Sequence, residues 1–307
     1  MTKAGILILG RSGQVGWELQ RTLACAGEIT ALDQGDVDLS APDSIRSVIQ
    51  SARPAVIVNA AAYTAVDKAE TDAELAKAIN TTAPQVLAEE AKRAGSLLVH
   101  FSTDYVFDGA KAAPYVETDA PNPINVYGRT KLDGDCAIEA AGGEHLIFRT
   151  SWVYGKRGRN FLLTVLKLAK ERPELRFVDD QHGAPTTSEC IAQAVATVLA
   201  RVRVGDGFRL DGRSGIYNLT NAGETTWCGF VREIVKQAEG SFGVGSPNLV
   251  PIASSEYPVP AARPSNSRLN CDKLDETFGV RLPRWDRALG LVLDGLKESA
   301  SVVGRLA

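Results

Sequence analysis

The sequence predicts an α/β protein, a doubly wound parallel sheet with a smaller C-terminal lobe. Three observations predict it. Short runs rich in Val, Ile and Leu alternate with helix-period segments through the first half, as in βαβ units around a sheet covered on both faces. A glycine-rich stretch, Gly10-Arg11-Ser12-Gly13-Gln14-Val15-Gly16, stands between the first of these runs and the first helical segment. From Ser151 onward the pattern loosens into loops such as residues 156–159 and 240–248, with Pro251, Pro258, Pro260 and Pro264.

Strands are expected at residues 6–9, 28–32, 56–59, 97–102 and 146–149, with a later one at 216–219. The first helix is expected over 14–23, because Val15, Leu19 and Leu23 recur every fourth residue and form one apolar stripe, with Trp17 off it. A helix at 189–201 and the strand at 216–219 read as further sheet elements, so the two lobes interleave. Residues 1–150, joined by about 187–221, form a dinucleotide-binding domain, and residues 151–186 and 222–307 form a substrate-binding lobe. Trp285, Ala288, Leu289, Val292, Leu293 and Leu296 fall at helical spacing and describe a packed C-terminal helix.

Composition narrows the function. The 307 residues are 44% hydrophobic and 23% charged, which excludes a disordered chain. The net charge is −3 and no basic block is present to neutralise a phosphate backbone, so no nucleic-acid partner is expected. The apolar runs are far shorter than the ~20 residues that span a bilayer, and the N-terminus enters the first strand without a signal-peptide h-region. These features predict a cytoplasmic protein with no membrane partner. Five scattered cysteines form no C-x-x-C pair, and His100 and His145 lie inside apolar strand-like runs, so no disulfide framework or metal site is predicted.

The glycine stretch has the strand-loop-helix context of a Rossmann-type dinucleotide loop. Glycines permit the tight turn and close approach of a pyrophosphate, whose charge the helix N-terminus stabilises. The expected contacts are Gly10, Arg11, Ser12, Gly13, Gln14, Val15 and Gly16. Asp33 ends the second strand, where a carboxylate accepts from the adenosine ribose hydroxyls and favours NADH. Arg11 is a counter-signal, since a guanidinium in the loop suits the 2′-phosphate of NADPH. NADH is therefore expected with NADPH tolerated. Asp38 and Leu39 are placed beside the adenine, and Ala60, Ala61 and Ala62 leave room for the cofactor at the end of the third strand.

Ser102-Thr103-Asp104 closes a strand, and Tyr127 precedes Lys131 by four residues. Pro121 and Pro123 hold a loop ahead of Tyr127, so a helix starting there places Tyr127 and Lys131 on one face, one turn apart. A phenol is a poor proton shuttle near neutrality, and a neighbouring ammonium makes it a better one by stabilising the phenolate.

Gly10, Gly13 and Gly16, Asn59-Ala60-Ala61, Ser102-Thr103-Asp104, and Tyr127 with Lys131 together resemble the extended short-chain dehydrogenase/reductase family. Longer stretches extend the resemblance over nearly the whole chain, to members that reduce dTDP-4-keto-6-deoxy sugars. They are Gly13 to Leu19, Thr64 to Glu70, Ser102 to Phe107, Phe148 to Tyr154, Asp180 to Thr186 and Arg263 to Leu269. The resemblance implies NAD(P)H-dependent reduction of the C4 ketone of dTDP-4-dehydro-L-rhamnose to dTDP-L-rhamnose, in nucleotide-sugar and polysaccharide biosynthesis. It also implies that Tyr127 donates a proton to the forming alkoxide, that Thr103 polarises the carbonyl, and that Lys131 holds the nicotinamide ribose and keeps the Tyr127 pKa low. Asp104 and Trp152 match sugar-contacting positions. Arg263 and Arg268 are expected to pair with the diphosphate, and Asn160 with the turn at 181–186 to close the pocket wall. Magnesium at a dimer contact occurs in the family, but no residue here matches its ligands, so no metal is assigned and a homodimer is left open.

Nucleotide-sugar dehydratases follow the Thr-Asp pair with a Glu base, and Tyr105 stands there instead. That favours a reductase over a dehydratase. The alternatives carried forward are a reductase of another dTDP-4-keto-6-deoxyhexose and a non-catalytic dinucleotide-binding regulatory subunit. The set Thr103, Tyr127 and Lys131 argues for turnover.

Overall fold

The computed structural model describes residues 5–306, with side chains as far as 298. β1 (Gly5–Leu9), α1 (Gln14–Thr22), β2 (Glu28–Leu32), α2 (Pro42–Ala52), β3 (Val56–Asn59), α3 (Ala83–Ala94), β4 (Leu97–Thr103), α4 (Val126–Ala141) and β5 (His145–Thr150) alternate through the first half. The second half adds α5 (Phe161–Glu171), β6 (Glu174–Val178), α6 (Ser188–Arg201), β7 (Gly215–Asn218), α7 (Trp227–Ala238), β8 (Asn248–Ile252) and α8 (Trp285–Leu306). Each expected strand lies within one residue of its observed bounds.

β1 through β5 and β7 form one six-stranded parallel sheet in the order β7-β5-β4-β3-β1-β2. Central strands read as unbroken apolar runs because both faces are covered, and Val56, Ile57 and Val58 are fully buried. On one face Leu19 of α1 meets Ile191, Val195 and Val198 of α6. On the other, Ile45 and Ile49 of α2 pack with Val86 and Leu87 of α3 and Ile138 of α4. The chain leaves β1 for β2 on one side and returns for β3 on the other, so a crevice opens at the carboxyl ends of β1 and β3.

A second core forms from Leu162, Val165 and Leu166 of α5, Phe230, Val231 and Ile234 of α7, and Leu289, Val292 and Leu293 of α8, beside the parallel pair β6 and β8. Within the stretch 222–307 assigned to this lobe, Leu274, Phe278, Val280 and Leu282 pack instead into the core of the large sheet. Phe278 lies 5.1 Å from the Tyr217 ring, so this segment covers the edge strand β7.

Two close approaches fix the catalytic loops. A π-helical turn, Ala78–Thr82, buries Asn80, whose amide bonds the Tyr63 backbone N–H (2.9 Å) and C=O (3.0 Å) and the Thr130 hydroxyl (3.2 Å), tying the loop after β3 to α4. α4 in turn lies against the segment after β4 at Gly128, where any Cβ would overlap the Tyr105 carbonyl oxygen. Among the described residues no helix is long and apolar enough to cross a membrane.

Candidate active site

A cavity of about 550 Å³ opens at the crevice between β1 and β3. Gly10 turns there with φ of +85°, and a Cβ on it would stand 2.9 Å from the Ala61 nitrogen. A Cβ on Gly16 would overlap the Gly10 carbonyl oxygen, so Gly16 packs the loop onto α1 without reaching the cavity wall. α4, α5, α6 and α7 all begin with a side-chain cap, from Asn125, Asn160, Thr187 and Thr226. α1 begins at Gly13 with none, which leaves its first N–H groups to an anion. The uncapped helix, the cradle and the open crevice fit a dinucleotide.

Ser12, Gly13, Gln14, Val15, Asp33, Asp38, Leu39 and Ala60 to Ala62 all line this cavity, together with Tyr127 and Lys131. Asp33 accepts from the Ser12 and Gln34 backbone N–H groups (3.2 and 3.1 Å). A hydrogen bond from the Ser12 side chain, ahead of these, holds its carboxyl below the usual range. Arg11 departs from expectation. Its guanidinium turns onto Asp36 (3.4 Å) and the Ala31 carbonyl (3.4 Å), so it is not on the cavity wall. Asp33→Ala is expected to raise the ratio of NADPH to NADH kcat/KM by about tenfold, the worth of a charged hydrogen bond to a ribose hydroxyl. An unchanged ratio would show that Asp33 does not read the ribose.

Tyr127 enters from the first turn of α4. Asn125 caps that turn by accepting from Gly128 N (2.7 Å), and Glu70 accepts from Val126 N (2.9 Å). The ring meets Tyr105 edge-on, with centroids 6.0 Å apart. Burial pushes the Tyr127 phenol up to about 12, with Asp104 and Asp135 adding to the effect and a Thr103 hydrogen bond opposing it. Lys131, expected to lower the phenol, is not among these influences. Although Lys131 shares the cavity, its Nζ donates to the Phe101 carbonyl (2.6 Å) and lies 3.0 Å from His100 Nε2.

Thr103 and Asp104 also differ from expectation. The Thr103 hydroxyl donates to Asp104 (3.0 Å) and accepts from Tyr105 N (3.1 Å), and it also lies within hydrogen-bond reach of Tyr127. Asp104 is 2% exposed and also accepts from the Ser151 hydroxyl (2.8 Å). It supports Thr103 from behind and is not open to a sugar. Burial pushes its carboxyl up to about 6, against hydrogen bonds from Ser151, Ser267 and Thr103.

A second cavity of about 740 Å³ is lined by Tyr105, whose ring packs against that of Tyr127 on the first cavity. Arg263 lines it, held by Asp67 (2.9 Å) and the Ala261 carbonyl (2.6 Å). Arg268 does not. Its guanidinium is taken up by Glu224 (2.6 Å), Asn266 (2.8 Å) and the Ala112 carbonyl. Asn160 is occupied too, its Oδ1 capping α5 at Leu163 N (3.1 Å) and its Nδ2 donating to the Gly155 and Arg157 carbonyls (2.9 and 3.0 Å). Trp152, at φ of +46°, lines neither cavity and stacks on Trp227 at 3.6 Å between centroids. Trp227 forms the wall in its place.

Sequence reasoning missed Phe161, Arg172, Arg176, Trp227 and Tyr257 on the second cavity and Arg159 on the first. The loop 156–159 carried a signal in its two arginines after Lys156. The others have none, because helical and strand periodicity does not say which face meets a distant loop. Among the described residues no group of three or more His, Cys, Asp or Glu is placed to hold a metal ion.

Residues 3–298 match the family model of the RmlD substrate binding domain. A dTDP-4-dehydrorhamnose reductase of Burkholderia thailandensis is 48% identical over 95% of this chain and 98% of its own. One from Salmonella typhimurium is 44% identical over 92% of this chain and 94% of its own. The crystal structure of the Bacillus anthracis dTDP-4-dehydrorhamnose reductase in complex with NADP superposes with a TM-score of 0.88 at 32% identity, covering 96% of this chain and all of that one.

Proposed function

The chain belongs to the RmlD substrate binding domain family, and on that premise we propose that it is an NAD(P)H-dependent oxidoreductase that reduces dTDP-4-dehydro-L-rhamnose to dTDP-L-rhamnose. The reading is carried by one observation, a proton-bearing phenol at Tyr127 on the dinucleotide cavity, packed edge-on against Tyr105, which lines a second cavity large enough for a nucleotide sugar. When bound, the reduced nicotinamide supplies the hydride. Gly10, Ser12, Gly13, Gln14 and Val15 cradle the pyrophosphate, while Asp33, Asp38 and Leu39 face the adenosine side. Lys131 sits at the nicotinamide end of the same wall.

In the second cavity Arg263, with Arg172 and Arg176, faces the diphosphate, and the flat sides of Trp227, Phe161 and Tyr257 take the base and the deoxy sugar. Tyr127 then gives its phenolic proton to the C4 oxygen as the carbonyl becomes an alcohol, and the phenolate regains a proton from water. Thr103 assists by turning its hydroxyl from Asp104 to the C4 oxygen. The cofactor belongs to residues 1–150 with about 187–221, and the sugar to 151–186 with 222–307, less the segment 274–282 that packs on the sheet. All five cysteines are unpaired, the condition of a reducing compartment, which supports a cytoplasmic enzyme.

NADPH oxidation by the purified protein is expected to require dTDP-4-dehydro-L-rhamnose, formed in situ by a dehydratase and an epimerase, and to stop when either is omitted. Oxidation with the unepimerised keto sugar alone would assign a different dTDP-4-keto-6-deoxyhexose.

A further inference from the structure

The segment between β5 and α5 passes over the start of α1 and carries three cations, Lys156, Arg157 and Arg159. Two of them hold the segment in place. Lys156 Nζ pairs with Glu189 of α6 (2.5 Å), and the Arg157 guanidinium lies over the Trp17 ring of α1, 3.6 Å from its centroid. The Asn160 amide closes the loop by donating to the Gly155 and Arg157 carbonyls (2.9 and 3.0 Å). Gly158 turns the chain with φ of +73°, and a Cβ on it would stand 3.6 Å from Cγ of Gln14, the first residue of α1.

Arg159 is the third cation. It is exposed on the wall of the dinucleotide cavity, and among the described residues its guanidinium has no hydrogen bond or ion pair. A diphosphate brings two negative charges to the uncapped start of α1, where the helix N–H groups supply only a partial positive charge. The phosphate loop adds no cation of its own, because Arg11 is turned onto Asp36 (3.4 Å). The other cation on the wall, Lys131, is taken up by the Phe101 carbonyl (2.6 Å).

We propose that Arg159 pairs with the cofactor diphosphate from the side of the crevice opposite the phosphate loop. The inference rests on the reading of this cavity as the dinucleotide site. A planar guanidinium can donate to two phosphate oxygens at once, which backbone N–H groups on the far side complement. The loop's contacts favour the diphosphate over the 2′-phosphate of NADPH. Its neighbours across the crevice are Gln14 and Trp17, both on α1, whereas the ribose end of the site is built by Asp33 with Ser12 and Gln34. The segment leads directly into α5, whose Leu162, Val165 and Leu166 belong to the second core. Cofactor binding therefore draws on both cores of the chain.

Calorimetric titration of the cofactor-free protein with NADPH, NADH and ADP-ribose tests this without turnover. All three ligands carry the diphosphate, NADPH alone has the 2′-phosphate, and ADP-ribose lacks the nicotinamide. Arg159→Gln is expected to weaken all three by a similar factor of about ten, the worth of a charged hydrogen bond. Arg159→Lys keeps the charge without the fork and is expected to fall between Arg159→Gln and wild type. Both variants are expected to melt with the wild type, because the side chain has no protein partner to lose. Unchanged dissociation constants in Arg159→Gln overturn the proposal. So does a loss confined to NADPH, which would put the guanidinium on the 2′-phosphate, or a loss that comes with a lowered Tm, which would assign Arg159 to the fold. Wild-type protein that binds none of the three ligands would overturn the reading of the cavity itself.

Discussion

Replacing Tyr127 by Phe lowers kcat for keto-sugar reduction by about a thousandfold and leaves the dissociation constant for NADPH unchanged. Phenylalanine keeps the ring that packs edge-on against Tyr105. It removes only the hydroxyl, and the groups nearby do not replace it. The Thr103 proton lies on Asp104, the Asp104 carboxyl is buried among hydroxyls, and Lys131 is turned onto Phe101 and His100. Burial keeps the phenol protonated well above neutral pH, so the acid is available in every turnover. Single-turnover kinetics separates the chemical step from binding. A loss smaller than tenfold, or a matching loss of NADPH affinity, would assign the proton to another donor.

Arg149→Met destabilises the fold by about 4 kcal/mol, as expected when one partner of a buried ion pair is removed. At this size that is a fall in Tm of roughly 6 °C. Arg149 is 2% exposed and Asp135 is fully buried, and they pair at 3.3 Å. The guanidinium also lies over the Phe107 ring at 5.4 Å. Burial already raises the Asp135 carboxyl, and the guanidinium is the largest influence opposing it. Without Arg149 the carboxyl rises further. The deficit is therefore smallest at low pH, where the wild-type Asp135 carboxyl is itself protonated, and grows as pH rises through its folded value. Thermal denaturation across pH checks both size and sign. The double variant Arg149→Met with Asp135→Asn is expected to recover part of the loss, and a deficit independent of pH would mean that packing alone was lost.

The parallel sheet was legible because β1, β3, β4 and β5 are covered on both faces, which forces continuous apolar runs that turn signals bound cleanly. The dinucleotide loop was legible because its glycines are required locally, by a turn at Gly10 and a close approach at Gly16. Tyr127 and Lys131 were legible as one face of a helix.

What that face meets was not. Lys131 is held by His100 and Phe101 from a strand some thirty residues earlier, and no spacing within α4 encodes it. The partners of Arg268, Asn160 and Trp152 were not legible for the same reason. Their residue types suit a diphosphate, a pocket wall and a sugar, but Glu224, the first turn of α5 and Trp227 claim them first. Arg172 and Arg176 gave no sign, since their placement depends on the pairing of β6 with β8.

Reduction with Tyr127 as the acid delivers the hydride to C4 of the keto sugar. Its most direct test is one turnover with NADPH deuterated at the transferable nicotinamide position and dTDP-4-dehydro-L-rhamnose, followed by mass and NMR analysis of the sugar. A single deuterium at C4 of dTDP-L-rhamnose is expected for each NADPH consumed. NADPH bound but not consumed, or consumed with no deuterium at C4, would contradict it.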